Sequence, residues 1–202
     1  RLVEVMDQLR SPGGCPWDAE QTHESLIKYL LEESYEFIDT VAESDRAGMR
    51  EELGDILLQV YFHSRIAQDH PTDPFSIEDV AKIITEKLIS RHPHVFGDKK
   101  VSGSQEVIAN WEEIKAAEKG RTSALDGVAL SQPALSLINK LLYRAEKYGI
   151  NLDVPTHSEN SIATQESVGT ALLAVIAWAH KNGVDPEDAL RKQSKQIMRE
   201  IA

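Results

Sequence analysis

The sequence predicts an all-α fold from two patterns. Apolar residues recur every three or four positions along most of the 202 residues, which is the spacing of one helix face. The alternation typical of strands is absent, and Gly and Pro cluster at a few places where helices are expected to end. With 41% hydrophobic and 27% charged residues, the composition is that of a globular chain with a core of its own.

Five helices are predicted in the first 119 residues. Ser76 caps the start of the fourth, and Asp79 three residues later forms a weak capping box with it. Pro93 ends that helix, because proline disfavours helical backbone in the residue before it. Gly120 suits the position just after the fifth helix. The predicted helices span about Leu2–Leu9, Glu24–Ala42, Gly48–Gln68, the stretch from the cap at Ser76 to Arg91, and Gln105–Lys119.

A linker at residues 120–133 is predicted to divide the chain into a first domain, residues 1–119, and a second, residues 134–202. Asp185 and Pro186 have the sequence of a helix start, with a capping acid before a proline in the first helical position. Three helices are predicted beyond the linker, at about Ala134–Tyr148, Thr164–Asn182 and Pro186–Ile201.

A short segment of the second domain resembles a segment of the first. Residues 52–58, Glu-Leu-Gly-Asp-Ile-Leu-Leu, resemble residues 167–173, Ser-Val-Gly-Thr-Ala-Leu-Leu. An acidic Glu-Asp pair opens the next helix after each segment, at residues 78–79 and 187–188. Internal similarity of this kind predicts two related helical units.

The charge and the cysteine content narrow the range of partners. Lys and Arg number 22 and Asp and Glu 33, a formal net charge of −11, which argues against a nucleic-acid backbone as the main partner. Cys15 is the only cysteine, so no intramolecular disulfide is expected. No apolar run reaches the roughly 18 residues that span a membrane. The prediction is a cytoplasmic protein that binds neither nucleic acid nor membrane.

Two pairs of carboxylates stand out on the second and third predicted helices. Glu33 and Glu36 lie three residues apart, as do Glu52 and Asp55, so each pair projects from one helix face beside an apolar stripe. A short turn at residues 44–47 makes the two helices antiparallel neighbours, which brings the four side chains to a similar height along one edge. The spacing therefore predicts a cluster of four carboxylates.

Converging carboxylates repel one another unless a cation lies between them. Ligands that are all oxygen favour Mg²⁺, with Mn²⁺ as a substitute, over Zn²⁺. Because Mg²⁺ usually takes its remaining ligands from substrate phosphates, a small phosphorylated substrate can bind this acidic protein through metal ions. Spacing alone leaves a second interpretation open, in which these residues form an ordinary solvated helix face.

Five segments carry a family resemblance. They are Gly14-Cys-Pro-Trp-Asp18, Leu31-Glu-Glu-Ser-Tyr-Glu36, Glu51-Glu-Leu-Gly-Asp55, Arg91-His-Pro-His-Val-Phe96 and Trp111-Glu-Glu-Ile-Lys115. In this order, over about residues 1–119, they resemble the MazG family of nucleoside triphosphate pyrophosphohydrolases. The resemblance implies a four-helix-core domain, used as a homodimer, that cleaves between the α- and β-phosphates with Mg²⁺.

The resemblance also implies roles for individual residues. The metal ligands of the family fall on Glu33, Glu36, Glu52 and Asp55, and the choice of the carboxylate that accepts the proton of the attacking water stays open. The nucleotide contacts of the family fall on two pairs that each lie one helical turn apart, Lys87 with Arg91 and Trp111 with Lys115. For Trp111, packing in the core is an equally good interpretation.

The substrate stays open as well. The leading hypothesis is removal of standard or oxidised (deoxy)nucleoside triphosphates from the nucleotide pool. The alternatives are a relative specific for dUTP, dCTP or phosphoribosyl-ATP, and a regulator that senses nucleotides without turnover. The complete carboxylate set favours an enzyme. His63 is interpreted as a partly buried structural residue, and His92 and His94 lack the cysteine that would complete a zinc site.

The second domain has lost this chemistry at the aligned positions. Ser167 and Thr170 stand where the second carboxylate pair would be, and Gln196 and Glu200 stand where the basic pair would be. Hydroxyl groups are poor Mg²⁺ ligands beside carboxylates, since they carry no charge at neutral pH. Residues 134–202 are therefore predicted to be a degenerate copy, kept for packing or dimer contacts.

Overall fold

The computed structural model describes residues 1–120, 122–152 and 163–192. Regular structure in these ranges is helical and includes no strand, so the all-α prediction is confirmed. The labelled helices are α1 (Leu2–Arg10), α2 (Pro16–Glu20), α3 (His23–Glu43), α4 (Arg46–Ala67), α5 (Ile77–Arg91), α6 (Pro93–Phe96), α7 (Ser104–Glu118), α8 (Ala134–Lys147) and α9 (Gln165–Lys181).

Side-chain caps fix the starts of the long helices. The predicted capping box at α5 is present: the Ser76 hydroxyl accepts a hydrogen bond from the Asp79 N–H at 3.4 Å, and the Asp79 carboxylate accepts one from the Ser76 N–H at 2.8 Å. Thr22 and Ser25 form the same arrangement at α3. These bonds satisfy N–H groups that the first turn leaves unpaired, and a cap stabilises a helix by about 1 kcal/mol.

The sequence does not predict two short helices, α2 and α6. Each begins at a proline, Pro16 or Pro93, because the ring fixes φ near its helical value and the first turn does not need the missing N–H. Interpreting both prolines only as breaks is correct for the segments before them and wrong for the short helices that they begin. The loop before α2 requires glycine, because a Cβ at Gly14 would overlap the carbonyl oxygens of Gln8 and Leu9.

The chain divides into two compact units, Arg1–Glu112 and Glu113–Ala202. The division falls within α7, whereas the sequence places the boundary in a linker at residues 120–133. Gly120 has a positive φ of 55°, which suits a residue just after a helix. The assignment of that linker stays a prediction.

Helices α3 and α4 form the main helix pair of the first unit, and α1 and α5 pack against α4. Met6 of α1, Leu26 of α3 and Phe62 of α4 are almost fully buried and form one cluster. Each such side chain stabilises the fold by roughly 1.5–3 kcal/mol through its removal from water. Arg65 of α4 also binds Asp7 of α1 at 2.9 Å. The helix pair is therefore anchored on a packed core.

In the second unit, α8 packs against α9 and buries Leu142 and Ile176. His180 of α9 joins the two helices through polar contacts, with Nδ1 3.2 Å from the Asn139 amide oxygen and Nε2 3.2 Å from the Glu146 carboxylate. This pair is thus held by apolar packing and by one shared polar residue.

The last predicted helix, Pro186–Ile201, is described only in its first part. Residues 186–192 are helical, and the Asp185 carboxylate accepts a hydrogen bond from the Asp188 N–H at 2.9 Å, as the predicted cap requires. Residues 193–201 of this prediction lie outside the described ranges. In the part of the chain that the structure describes, no helix is long and apolar enough to cross a membrane.

Candidate active site

A very short turn joins α3 to α4. Ser44 ends α3 in the left-handed region, at φ 59°. Asp45 caps α4, with its carboxylate accepting a hydrogen bond from the Ala47 N–H at 3.0 Å. The Asp45 N–H donates to the Thr40 carbonyl at 2.9 Å. Because a connection of this length joins antiparallel neighbours, the two helices form a hairpin.

Three of the four predicted carboxylates converge across this hairpin. Glu33 and Glu36 on α3 and Glu52 on α4 each offer one oxygen, and these oxygens lie within 4.8 Å of one another. Glu33 and Glu52 are half-buried, whereas Glu36 is exposed. Asp55 is half-buried and is not part of this group, but its charge acts on both Glu33 and Glu52.

Two of these carboxyls, Glu33 and Glu52, have pKa values raised above the ordinary value of 4.5. For Glu33 the largest cause is desolvation, followed by the charges of Asp55, Glu36 and Glu52. Desolvation also raises the pKa of Glu52 most, followed by the charges of Glu36 and Asp55. A hydrogen bond between the Glu52 and Glu36 carboxyls adds to that rise, because it needs a proton between them. Glu33 and Glu52 therefore bind protons more readily than ordinary glutamates, and a cation at this site would compete with those protons.

This set of donors fits a divalent cation that prefers oxygen ligands. The converging atoms are all carboxylate oxygens, and no His or Cys belongs to the group. A cation between them would offset the mutual repulsion that, after desolvation, raises the pKa of Glu33 and Glu52. Since Glu36 is exposed, the group borders solvent, where further ligands have access.

The predicted substrate contacts lie on α5 and α7. Lys87 is half-buried, and Arg91, one helical turn later, is only 9% exposed. The Arg91 guanidinium lies 5.7 Å from the centre of the Trp111 ring, which is a cation–π distance. Trp111 thus contacts the predicted phosphate-binding arginine. Lys115 is half-buried on the part of α7 that belongs to the second unit.

Of the aligned positions in the second unit, Ser167 takes part in a helix cap and, among the described residues, does not face a group of carboxylates. The Ser167 hydroxyl accepts a hydrogen bond from the Thr164 N–H at 2.8 Å, and Thr164 Oγ1 accepts one from the Ser167 N–H at 3.1 Å, so the two residues cap α9. Thr170 is exposed. Gln196 and Glu200 lie outside the described residues. The described part of this unit contains no group of three converging acidic, His or Cys ligands.

The sequence pattern predicts His63 as a partly buried structural residue, and its contact with His23 is not among the predictions above. In the structure the Nδ1 atoms of these two residues are 2.8 Å apart. His23 is the first residue of α3, and His63 lies four residues before the end of α4. Because the two lie at comparable distances from the turn at Ser44 and Asp45, the hairpin brings them together, and that spacing is a signal that the sequence contains.

Comparisons with known proteins identify the family. The family model described as MazG nucleotide pyrophosphohydrolase domain matches residues 21–96. A protein of Thermotoga maritima, named nucleoside triphosphate pyrophosphohydrolase/pyrophosphatase MazG, is 39% identical over 213 residues, covering 98% of this chain and 81% of that protein. The chain belongs to the MazG family.

Two further matches extend over much of this MazG chain. An uncharacterised 26.1 kDa protein of Streptomyces cacaoi is 48% identical over 194 residues, covering 94% of this chain and 75% of that protein. The crystal structure of a MazG-related protein from Thermotoga maritima aligns with a TM-score of 0.47 and 30% identity, over 57% of this chain and 96% of that one.

Membership of the MazG family makes this chain an enzyme, a nucleoside triphosphate pyrophosphohydrolase. The matched MazG domain, residues 21–96, includes the converging carboxylates together with Lys87 and Arg91. Trp111 and Lys115 lie beyond it. The hairpin that carries the carboxylates is therefore part of the segment that defines the family.

Proposed function

We propose that this MazG enzyme hydrolyses (deoxy)nucleoside triphosphates to the monophosphate and pyrophosphate, using Mg²⁺ with Mn²⁺ as a substitute. The observation that carries this proposal is the convergence of oxygens from Glu33, Glu36 and Glu52 within 4.8 Å across α3 and α4. Such a group is costly for a metal-free protein, as the raised pKa values of Glu33 and Glu52 indicate. Binding of a catalytic cation would explain why these carboxylates converge.

In this proposal Glu33, Glu36, Glu52 and Asp55 hold the ion. When bound, the ion supplies an activated water and neutralises the triphosphate. A carboxylate of the same set accepts the proton of the attacking water. The half-burial of three of these residues supports the role, because electrostatic interactions strengthen where water is excluded.

Four residues of α5 and α7 are the proposed substrate contacts. Lys87 and Arg91 share one helix face and contact phosphate oxygens, for which the forked guanidinium of Arg91 is well suited. The Arg91–Trp111 contact at 5.7 Å supports this arrangement, because the ring orients the guanidinium. Trp111 offers a surface on which a base can stack, and Lys115 is a third positively charged contact in this proposal.

The products test the proposed reaction. Full-length enzyme is incubated with a nucleoside triphosphate and Mg²⁺, and the products are monitored by ³¹P NMR. Cleavage between the α- and β-phosphates gives monophosphate and pyrophosphate in equal amounts from the start. Diphosphate and orthophosphate as the first products would contradict the proposal. EDTA is expected to stop the reaction, and added Mg²⁺ or Mn²⁺ to restore it.

The substrate within this class is best found with a panel. We propose standard and oxidised (deoxy)nucleoside triphosphates, in the role of clearing the nucleotide pool. A strong preference for dUTP, dCTP or phosphoribosyl-ATP in kcat/KM would favour a more specific relative. Tight nucleotide binding without turnover of any compound would favour a nucleotide-sensing regulator instead.

The proposal includes a cytoplasmic homodimer. In the first unit, large apolar side chains remain exposed on the hairpin helices, including Leu31 at 52%, Leu53 at 52% and Leu57 at 47%. Exposed apolar side chains at helical spacing are typical of a surface that another chain covers. Sedimentation equilibrium of the full chain is expected to give twice the monomer mass of 22.5 kDa. A monomer at micromolar concentration would contradict this part.

A further inference from the structure

The pair formed by His23 and His63 lies outside the carboxylate group and has an unusual geometry. The two imidazole planes are parallel within 3°, and their centroids are 5.1 Å apart. Because the Nδ1 atoms are 2.8 Å apart, the planes are separated by at most that distance, which is too close for face-to-face stacking. The centroid distance of 5.1 Å is about the sum of the 2.8 Å gap and the two ring radii on either side of it, so the rings lie end to end in nearly one plane, with the two Nδ1 atoms facing each other.

This geometry is that of an N–H···N hydrogen bond between imidazoles. One hydrogen occupies the gap, since a neutral imidazole carries a proton on one nitrogen and a lone pair on the other. The bond persists when the pair gains one further proton, because one Nδ1 still accepts. When both imidazoles are charged, two N–H groups face each other at contact distance, and the bond is lost.

The surroundings of His63 oppose that second charge. Its Nε2 atom is buried and has no hydrogen-bond partner among the described residues, so a charged His63 would bury an unpaired N–H. Burial and the charge of His23 both lower the pKa of His63 below its ordinary value of 6.5. His23 is exposed, and its other nitrogen can bind water. Burial and the charge of His23 therefore both oppose the protonation of His63 that would break the shared hydrogen bond.

Other charged groups on the packed helices have interactions of their own. Glu24, next to His23 on α3, has its pKa lowered by bonds to its own helix start and to Thr22. On the α1 side of α4, Arg65 binds Asp7 at 2.9 Å and Asp69 at 2.7 Å. At the start of α5, Asp79 bonds to Ser76 at 2.8 Å. Of all these groups, only His23 shifts the pKa of His63 by its charge.

The pair closes the end of the hairpin opposite the turn. Along the helix axes, His23 lies about 15 Å from Glu33, and His63 about 12 Å from Asp55, at 1.5 Å per residue. We propose that His23 and His63 form a latch with one shared proton, which positions α3 against α4 and so keeps the two carboxylate pairs at the spacing of a divalent ion. The two histidines are positioning residues, and neither contacts the ion.

Two substitutions of His23 distinguish the presence of the hydrogen bond from its loss when both imidazoles are charged. His23→Asn places an amide where Nδ1 lies, and the amide can donate or accept, so the bond survives protonation of His63. His23→Leu keeps the bulk and removes the bond at every pH. In the full-length, metal-free protein we expect wild type to lose about 2–4 °C of Tm relative to His23→Asn as the pH falls below the ordinary imidazole value of 6.5 and His63 becomes charged. The carboxylates titrate equally in both proteins, so this difference reports on the pair.

Two further measurements decide the proposal. In ¹⁵N-histidine-labelled full chain, NMR should show scalar coupling between the two Nδ1 nuclei and a titration of His63 below its ordinary value of 6.5. At neutral pH, His23→Leu should weaken Mn²⁺ binding several-fold, and His23→Asn should restore it. Independent titration of both imidazoles near 6.5 would overturn the latch. Unchanged Mn²⁺ affinity in His23→Leu would overturn its positioning role. The affinity measurement rests on the proposed metal site, and absent Mn²⁺ binding by wild type would count against that site alone.

Discussion

Two packed helix pairs of this chain, α3–α4 in the first unit and α8–α9 in the second, carry different side chains at the positions that the sequence aligns. The first brings together three carboxylate oxygens within 4.8 Å. At the aligned position the second has Ser167, whose hydroxyl caps its own helix. Beside α9 lies an apolar groove of about 360 Å³, lined by residues that include Leu172, Val175 and Trp178. A packed helix pair therefore does not define a function, which depends on the few side chains placed upon it.

The largest effect is expected from removal of a carboxylate on α4. Glu52→Gln and Asp55→Ala should each lower kcat/KM for triphosphate hydrolysis by at least about a hundredfold, because loss of a metal ligand costs no less than loss of a residue that supports one. The helical circular dichroism spectrum should stay unchanged. The matched control is Glu43→Gln, on the exposed end of α3. Activity of Glu52→Gln within a few-fold of wild type would contradict the role of Glu52 as a metal ligand. The proposed difference in function between α3–α4 and α8–α9 would then be lost.

A smaller effect is expected at the proposed phosphate contacts. Lys87→Ala should raise KM about tenfold, the size expected for loss of one hydrogen bond from a charged donor. Lys82→Ala removes the same group from an exposed position of the same helix and serves as the control. Equal KM values for the two variants would show that the basic face of α5 does not contact the substrate.

The effect of Mg²⁺ on thermal stability is expected to depend on pH if the ion binds the α3–α4 carboxylates. The pKa values of Glu33 and Glu52 are raised, so their contribution to stability without metal is present at acid pH and is lost as the pH rises through those values. Saturating Mg²⁺ should therefore raise Tm by roughly 5 °C at pH 8 and much less at pH 5, where protons compete with it. Glu33→Gln should abolish most of the difference. A Mg²⁺ effect independent of pH would place the ion elsewhere.

The smallest effect is expected in the second unit. Ser167→Ala together with Thr170→Ala should leave kcat/KM within twofold of wild type. The loss of the Ser167 cap should destabilise α9 by about 0.5–1 kcal/mol, measured by urea unfolding. A large loss of activity in this variant would mean that the second unit contributes to catalysis.

The sequence predicts the long helices well because their signals are local. Apolar spacing and the Ser76–Asp79 capping box place α5 within a residue of its observed start. The helices α2 and α6 have only five and four residues, too few to show a helical period, and proline at their first position is interpreted as a break.

For the candidate site, too, the sequence predicts what depends on local spacing and misses what depends on packing. Spacing predicts that Glu33, Glu36 and Glu52 meet across a hairpin, and the structure brings them together. Spacing fixes the direction of a helical side chain but not its rotamer, so it does not predict that Asp55 is absent from the group of converging oxygens. Contacts between distant helices, such as Arg91 with Trp111, depend on packing that the sequence pattern does not specify.

The most direct test of the central claim, that the α3–α4 carboxylates hold the catalytic ion, is a calorimetric Mn²⁺ titration of three full-length proteins: wild type, Glu52→Gln, and the double variant Ser167→Ala with Thr170→Ala. We expect wild type and the double variant to bind Mn²⁺ with the same affinity and stoichiometry, and Glu52→Gln to lose that binding. Mn²⁺ binding by Glu52→Gln at wild-type affinity and stoichiometry would contradict the claim.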